Sequence, residues 1–518
     1  MKDCRLLGID AGTTSLKAVL YNGEGKQLSS ATREYRLITP KPTIVEASPE
    51  IYWESLKAVM EEITMKLGAS EINVDALAIS SQGESFVVLD KSGNPLRNVI
   101  VWLDSRAREE SDIIRNEFGR ENVYHTTGSP DVDPIWASTK LLWMRRNEPD
   151  NFNKIHKVLF VEDYLINQMT KEYAANGSLY CSSLLFDIIR NKWWQNMLDF
   201  LNINEEQLAN LYPSGVVIGH LTEQARKDLK IATDAAVVTA GMDQACGCIG
   251  TGNISSGILT ENIGASLNVC VTNEKPIFDK KMRVPCQTHS VNGKYMYVPW
   301  TKSGGIILKW FKDNFCEKQI EESERLEKNI YDILTKNIKN IPPGSNSIIM
   351  LPHLTGAVSP EMNDLARGVF YGLNLSSDRD ILVRSIIESI TYVLRSNIEL
   401  VEEENITIKT VISSGGASNS EIWNQIKADV LGFPIRTIKN QDSGCLGAAI
   451  LSGVGVGFFK SIEDACDVII KKGKDYYPNE RNVKIYDQYY HVYKDLYTRL
   501  EPVFERSAEI LSNIERGE

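Results

Sequence analysis

The chain has 518 residues, 42% of them hydrophobic and 24% charged, with a formal net charge of −11. That length exceeds one ordinary core and fits two large domains. The acidic balance, without any basic stripe, excludes nucleic acid as a partner, and no apolar run nears the ~20 residues that span a bilayer, which excludes a membrane role.

The N-terminus, Met1-Lys2-Asp3-Cys4-Arg5, has no signal-peptide core. Nine cysteines are scattered without a CxxC spacing. Both point to reduced thiols and a cytoplasmic location.

Arg5 to Ile9 forms a short apolar strand, followed by the turn Asp10-Ala11-Gly12-Thr13-Thr14-Ser15. Leu16 to Tyr21 supplies a second strand, Asn22-Gly23 a hairpin signal, and Gln27 to Tyr35 a third strand. Residues 51–67 place Leu56, Val59, Met60 and Ile63 near one helical face. Strands at Ala76–Ser80 and Phe86–Leu89 flank Ser81-Gln82-Gly83-Glu84, and Asn98–Trp102 is a further buried strand. Residues 137–230 are expected to be mainly helical. Ala235–Ala240 then forms an apolar strand ending at Gly241, with Asp243 at its carboxyl end, where open α/β sheets collect ligands.

The second half repeats the theme. Asn262-Ile263-Gly264-Ala265-Ser266 lies in a strand–turn–strand context like that around Asp10. Thr410–Ser413 runs into Ser414-Gly415-Gly416-Ala417-Ser418-Asn419, and Ser418 with Glu421 forms a capping box for the next helix. A Gly/Ala segment follows at Gly444–Ala449, and from Tyr486 the chain has an amphipathic helix. The expected domains are 1–252 and 253–518. Two glycine-rich turns, each with a carboxylate, suggest phosphoryl transfer, one Asp serving a metal and the other the attacking hydroxyl.

These segments together resemble the FGGY carbohydrate kinases. The likeness is carried by Gly8-Ile9-Asp10-Ala11-Gly12-Thr13-Thr14-Ser15-x-Lys17, Trp102-x-Asp104-x-Arg106, Thr139-Lys140 with Trp143, Gly241-x-Asp243-Gln244-Ala245, Arg367-Gly368-x-Phe370-x-Gly372-Leu373 and Gly415-Gly416-Ala417-x-Asn419. The resemblance implies an α/β fold of two actin-like (ribonuclease H-like) domains with an interdomain active-site cleft.

By the same resemblance, Asp243 is the catalytic base and Asp10 orients Mg²⁺ on ATP. Gly12, Thr13, Thr14, Ser15 and Lys17 would face the phosphates, as would Gly264 and Ser266 in the second turn. In that second turn Ala265 replaces the family's usual threonine. Gly305, Gly415, Gly416, Ala417 and Asn419 would contact the nucleotide. Gln82, Glu84, Asp104, Trp136 and Gln244, with Asp243, would surround the sugar.

Gly83 stands where glycerol kinases carry Arg, which leaves room for a longer substrate and favours a ketopentose such as xylulose. Glycerol, another polyol and a sugar acid are alternatives, and a non-kinase ATPase or a sugar sensor are rivals from other classes. The partners expected are MgATP and a small sugar, in a protein that forms a homodimer.

Overall fold

A computed structural model describes residues 4–440 and 442–516. The chain forms two compact units. One comprises Met1–Ser256, Thr272–Tyr297 and Asn440–Lys471; the other comprises Gly257–Val271, Val298–Lys439 and Lys472–Glu518. The expected split at residue 252 followed chain order. The compact units do not, because two later segments return to the first.

The first unit is built on a six-stranded sheet. Its strands are β1 (Arg5–Ala11), β2 (Ser15–Asn22), β3 (Gln27–Glu34), β4 (Ala76–Ser81), β5 (Val217–His220) and β6 (Ala236–Met242), in the order β5-β6-β4-β1-β2-β3. β1, β2 and β3 form an antiparallel meander, whereas β4 and β6 run parallel to β1. Three antiparallel strands followed by two parallel ones is the ribonuclease H-like arrangement. β4 and β6 are buried along their whole length, so both are mostly apolar and neither alternates, with only Ser80, Ser81 and Thr239 polar.

The helix Ser443–Gly455 packs against β1, β4 and β6 and against the helix Asp243–Thr251. Its Leu446, Ala449 and Ile450 share one core with Leu6, Val19, Ala78 and Val238. A separate antiparallel sheet joins Phe86–Leu89, Val99–Ile100 and Lys157–Phe160, and it presents the loop bearing Glu84 and the turn bearing Trp102.

Residues 137–230 take their regular structure mainly as helix, as expected, but short strands interrupt it. Helices Ala137–Asn147 and Val161–Thr170 alternate with short strands at Lys157–Phe160, Ala174–Asn176 and Val217–His220. Three or four residues are too few to show a period of two, and long-range pairing decides their state.

The second unit repeats the scheme with β7 (Ile258–Ile263), β8 (Leu267–Asn273), β9 (Thr410–Ser414), β10 (Ile435–Ile438) and β11 (Lys472–Tyr476). The order β8-β7-β9-β10-β11 matches β2-β1-β4-β6-β5, including the antiparallel edge strand. The long helices Arg379–Glu403 and Glu480–Arg516 flank this sheet's helix Glu421–Leu431. Tyr486, Tyr490 and Tyr493 form the buried stripe of the last helix. Arg384 and Glu388 are spent on scaffolding: Arg384 donates to Tyr486 Oη at 2.8 Å, and Glu388 accepts the Ser345 hydroxyl at 2.7 Å.

The helix Glu421–Leu431 is capped by Ser420, not by Ser418. The Ser418 hydroxyl turns back to the Gly415 carbonyl at 2.7 Å within a 3₁₀ turn, so it is not available to the helix. Among the described residues no helix is long and apolar enough to cross a membrane.

Candidate active site

Asp243 is the first residue of the helix that follows β6, and it accepts its neighbour's Gln244 N–H at 2.7 Å. The strand reaches it through Gly241, whose φ of +129° is a conformation that favours glycine. A Cβ there would fall 2.0 Å from Ser178 Oγ. The protein packed around Asp243 and the charge of Asp10 push its carboxyl up to about 7, although solvent still reaches the side chain. Beside it, Gln244 Oε1 is buried with no hydrogen-bond partner among the described residues.

Asp10 ends β1. Burial raises its carboxyl above the ordinary value and Asp442 adds to the rise, while Ser80 and Lys17 oppose it. Ser80 Oγ donates to Asp10 Oδ1 at 2.8 Å. Lys17 is paired with Asp442. A Cβ on Gly444 would lie 3.3 Å from the Asp10 carboxyl carbon, so only glycine leaves that side of the carboxylate clear.

The turn itself is braced. Gly12 N–H bonds the Ser15 carbonyl at 3.0 Å, Tyr35 Oη donates to the Gly12 carbonyl, and the Trp102 indole donates to Thr13 Oγ1 at 2.8 Å. Thr14 is exposed, while Gly12, Thr13, Ser15 and Lys17 are half-buried.

Glu84 is buried with φ +58°. Burial and the Asp243 charge push its carboxyl up to about 7, against the Ser182 hydroxyl and Lys140. Lys140 is fully buried; burial brings its amine down to about 7, and Asp104 and Glu84 oppose the fall.

Gln82 is engaged at both ends: Nε2 donates to the Gly12 carbonyl at 2.9 Å, and Oε1 accepts the Ser85 hydroxyl at 2.9 Å. Asp104 is likewise spent, accepting the Val45 N–H at 2.7 Å and the Arg106 guanidinium at 2.7 and 2.9 Å. Its geometry is that of a structural ion pair. Trp136 is half-buried and donates to the Asp131 carbonyl at 2.9 Å.

The room expected beside Gly83 is not there. A Cβ at that position would meet Ser182 Oγ at 2.8 Å and Met242 Cε at 3.3 Å. Neighbouring loops have refilled the space that a shorter side chain leaves.

In the second unit, the turn Gly264–Ser266 and the start of the helix Gly305–Phe315 form one cluster. Gly305 N–H bonds the Gly264 carbonyl at 2.8 Å, and Ile306 N–H bonds the Ala265 carbonyl at 3.1 Å. Gly415, Gly416 and Asn419 are exposed, Ala417 is buried, and the space over Gly264 and Gly416 is open. Ser80, Ser85, Glu162 and Asp442 join the first unit's site without having been singled out in the sequence. Lys140 joins it too and did carry a signal, inside the Thr139-Lys140 motif.

Family models for the FGGY carbohydrate kinases match this chain twice, the N-terminal domain over residues 5–250 and the C-terminal domain over residues 261–456. The chain belongs to the FGGY family of carbohydrate kinases. It is 28% identical over 493 residues to a xylulose kinase of Bacillus subtilis, covering 95% of this chain and 96% of the relative. A gluconokinase of the same organism is 27% identical, covering 98% and 96%. The ligand-bound xylulose kinase structure from Lactobacillus acidophilus superposes with a TM-score of 0.86 at 25% identity, covering 97% of this chain and 99% of that one. The protein is thus an ATP-dependent carbohydrate kinase, a phosphotransferase acting on an alcohol group, with the two-domain α/β fold of its family.

Proposed function

We propose that this kinase phosphorylates a neutral ketopentose, D-xylulose, with Asp243 as base and Asp10 as the carboxylate that serves Mg²⁺. The observation that carries the reading is Asp243 itself: a carboxyl whose pKa is raised to about 7, next to a Gln244 amide oxygen with no partner among the described residues. One sugar hydroxyl would donate to Gln244 Oε1, while a neighbouring hydroxyl, the one to be phosphorylated, would present its proton to Asp243. Phosphoryl transfer has a loose transition state, so the base chiefly orients the hydroxyl and takes its proton late. Glu84 would accept further sugar hydroxyls, and Gln82 and Asp104 would act through the loops they hold.

The residues fit Mg²⁺. This ion takes one or two carboxylates and keeps its other positions for water and phosphate. Asp10 provides one such carboxylate, with Gly444 leaving it clear. Among the described residues there is no cluster of three or more His, Cys, Asp or Glu that would bind a metal without a substrate. Bound there, Mg²⁺ would neutralise phosphate charge; Thr13, Thr14, Ser15 and the backbone of Gly12 would orient the phosphates. Gly264, Ser266, Gly305, Gly415, Gly416, Ala417 and Asn419 would hold the remainder of the nucleotide.

The electrostatics favour a neutral sugar over gluconate. The Asp10 charge already raises the pKa of Asp243, and the Asp243 charge that of Glu84, and a substrate carboxylate would add a like charge. The cation that favours ionised Glu84, Lys140, has its ammonium committed to two backbone carbonyls. Free cysteines throughout support a reducing, cytoplasmic setting. Exposed Val503, Ile510 and Leu511 on the last helix support a homodimer, which light scattering would measure.

The test is ADP release with MgATP against D-xylulose, D-ribulose, fructose, erythritol, glycerol and gluconate. D-Xylulose should give the highest kcat/KM. A higher value for gluconate would overturn the assignment.

A further inference from the structure

Side chains of the first unit close a ring of hydrogen bonds between the loop that carries Glu84 and the turn that carries Asp10. The Trp102 backbone N–H donates to Ser85 Oγ at 2.9 Å, and the Ser85 hydroxyl donates to Gln82 Oε1 at 2.9 Å. Gln82 Nε2 donates to the Gly12 carbonyl at 2.9 Å, and the Gln82 backbone N–H donates to the Ala11 carbonyl at 3.0 Å. The Trp102 indole, donating to Thr13 Oγ1, returns the ring to the turn. Lys140 fixes Trp102 from below by donating to the carbonyls of Val101 and Trp102 at 2.9 and 3.1 Å.

The direction of every bond in this ring is set. Backbone amides and the indole only donate, and carbonyls only accept. The Gly12 carbonyl only accepts, so Gln82 turns Nε2 to it and Oε1 to Ser85, and Ser85, accepting from Trp102, donates its own hydrogen to Gln82. Thr13, having accepted the indole hydrogen, keeps its own hydroxyl hydrogen for another acceptor. A phosphate oxygen is such an acceptor. Ser85 is fully buried.

We propose that Ser85 is a positioning residue that locks the phosphate turn to the sugar loop and presets Thr13 as a donor to the nucleotide. This rests on the kinase site proposed above, but not on which sugar it takes.

The test is the dissociation constant of a non-hydrolysable ATP analogue with Mg²⁺, measured without sugar for wild type, Ser85→Ala, Trp102→Phe and the double variant. Each single variant should bind about 2- to 10-fold more weakly, the worth of one hydrogen bond. Because both act through one ring, the double variant should match the weaker single variant and not the product of the two losses. Unchanged affinity in Ser85→Ala, with a wild-type circular dichroism spectrum, overturns the proposal. So does a double variant whose loss equals the product. Turnover of wild type with D-xylulose is measured alongside. Its absence removes the sugar assignment, while the affinity pattern still decides the ring.

Discussion

Glu162 grips the backbone that leads to Asp243: its Oε1 accepts the Ala240 N–H at 2.7 Å. Its other oxygen accepts Asn176 Nδ2 at 2.8 Å, and Asn176 in turn accepts the Ser178 hydroxyl at 2.6 Å. Asp243, the proposed base, thus stands on a buried polar network.

That network gives a pH dependence of stability. Burial and the adjacent Asp163 push the Glu162 carboxyl up to about 8, and burial pushes Asp163 up to about 7. Both folded values lie above the unfolded ones near 4. The stability they contribute is full below pH ~4 and is lost as pH rises through about 7 to 8. The melting temperature should fall from about pH 4 to about pH 8 and level off above, and Glu162→Gln should flatten that fall in calorimetry. An unchanged slope in the variant would show that Glu162 is not its source.

Asp243→Asn should lower kcat by about 10²–10⁴ while leaving nucleotide binding intact. In the wild type the base must be ionised, so kcat/KM should drop as pH falls below about 7. Asp10, Asp243 and Glu84 interact, so the apparent value belongs to the set and not to one residue. A flat profile from pH 5.5 to 8 would contradict Asp243 as the titrating base.

Lys427 and Glu261 form an ion pair at 2.5 Å, both 0% exposed, beneath the Gly415–Asn419 turn. Lys427→Met strands a buried carboxylate and should cost about 3–5 kcal/mol in denaturant unfolding. Replacing both partners, with Glu261→Leu added, should recover most of that loss. If the double variant were no better than the single, the stranded charge would not be the cause.

Gly8→Ala tests the seat of the Ser443–Gly455 helix. A Cβ on Gly8 would fall 1.8 Å from the Cys445 carbonyl oxygen, a backbone atom with nowhere to go. The variant should lose about 1–3 kcal/mol or more, read as a lower melting temperature. A wild-type melt would mean that helix and strand can separate freely.

What the sequence discloses follows from how local the signal is. β1, β2 and β6 are legible because each is a run of apolar residues closed by a glycine-rich turn, and Asp10 and Asp243 sit at those turns. Glu162 is invisible, since a glutamate in a helical stretch looks like any solvated residue until β6 is laid against it. Ser418 misleads because its spacing to Glu421 fits a cap, while the backbone at Gly415, with φ +75°, diverts its hydroxyl. Gly83 misleads for another reason: a missing side chain signals space only if nothing else moves in, and Ser182 and Met242 have.

The helix Ser443–Gly455, with the segment to Ile469 that joins the same core, is synthesised some two hundred residues after β6 and later still after β1 and β4. Domains commonly complete themselves in order as the chain leaves the ribosome. Here that order is broken. β1, β4 and β6 emerge early with one face bare, and they must wait, exposed, while nearly the whole second sheet is made. A nascent chain stopped at Ser256 should therefore be a client for chaperones and proteases, and the two halves of this kinase cannot be expressed apart and mixed as if each were whole.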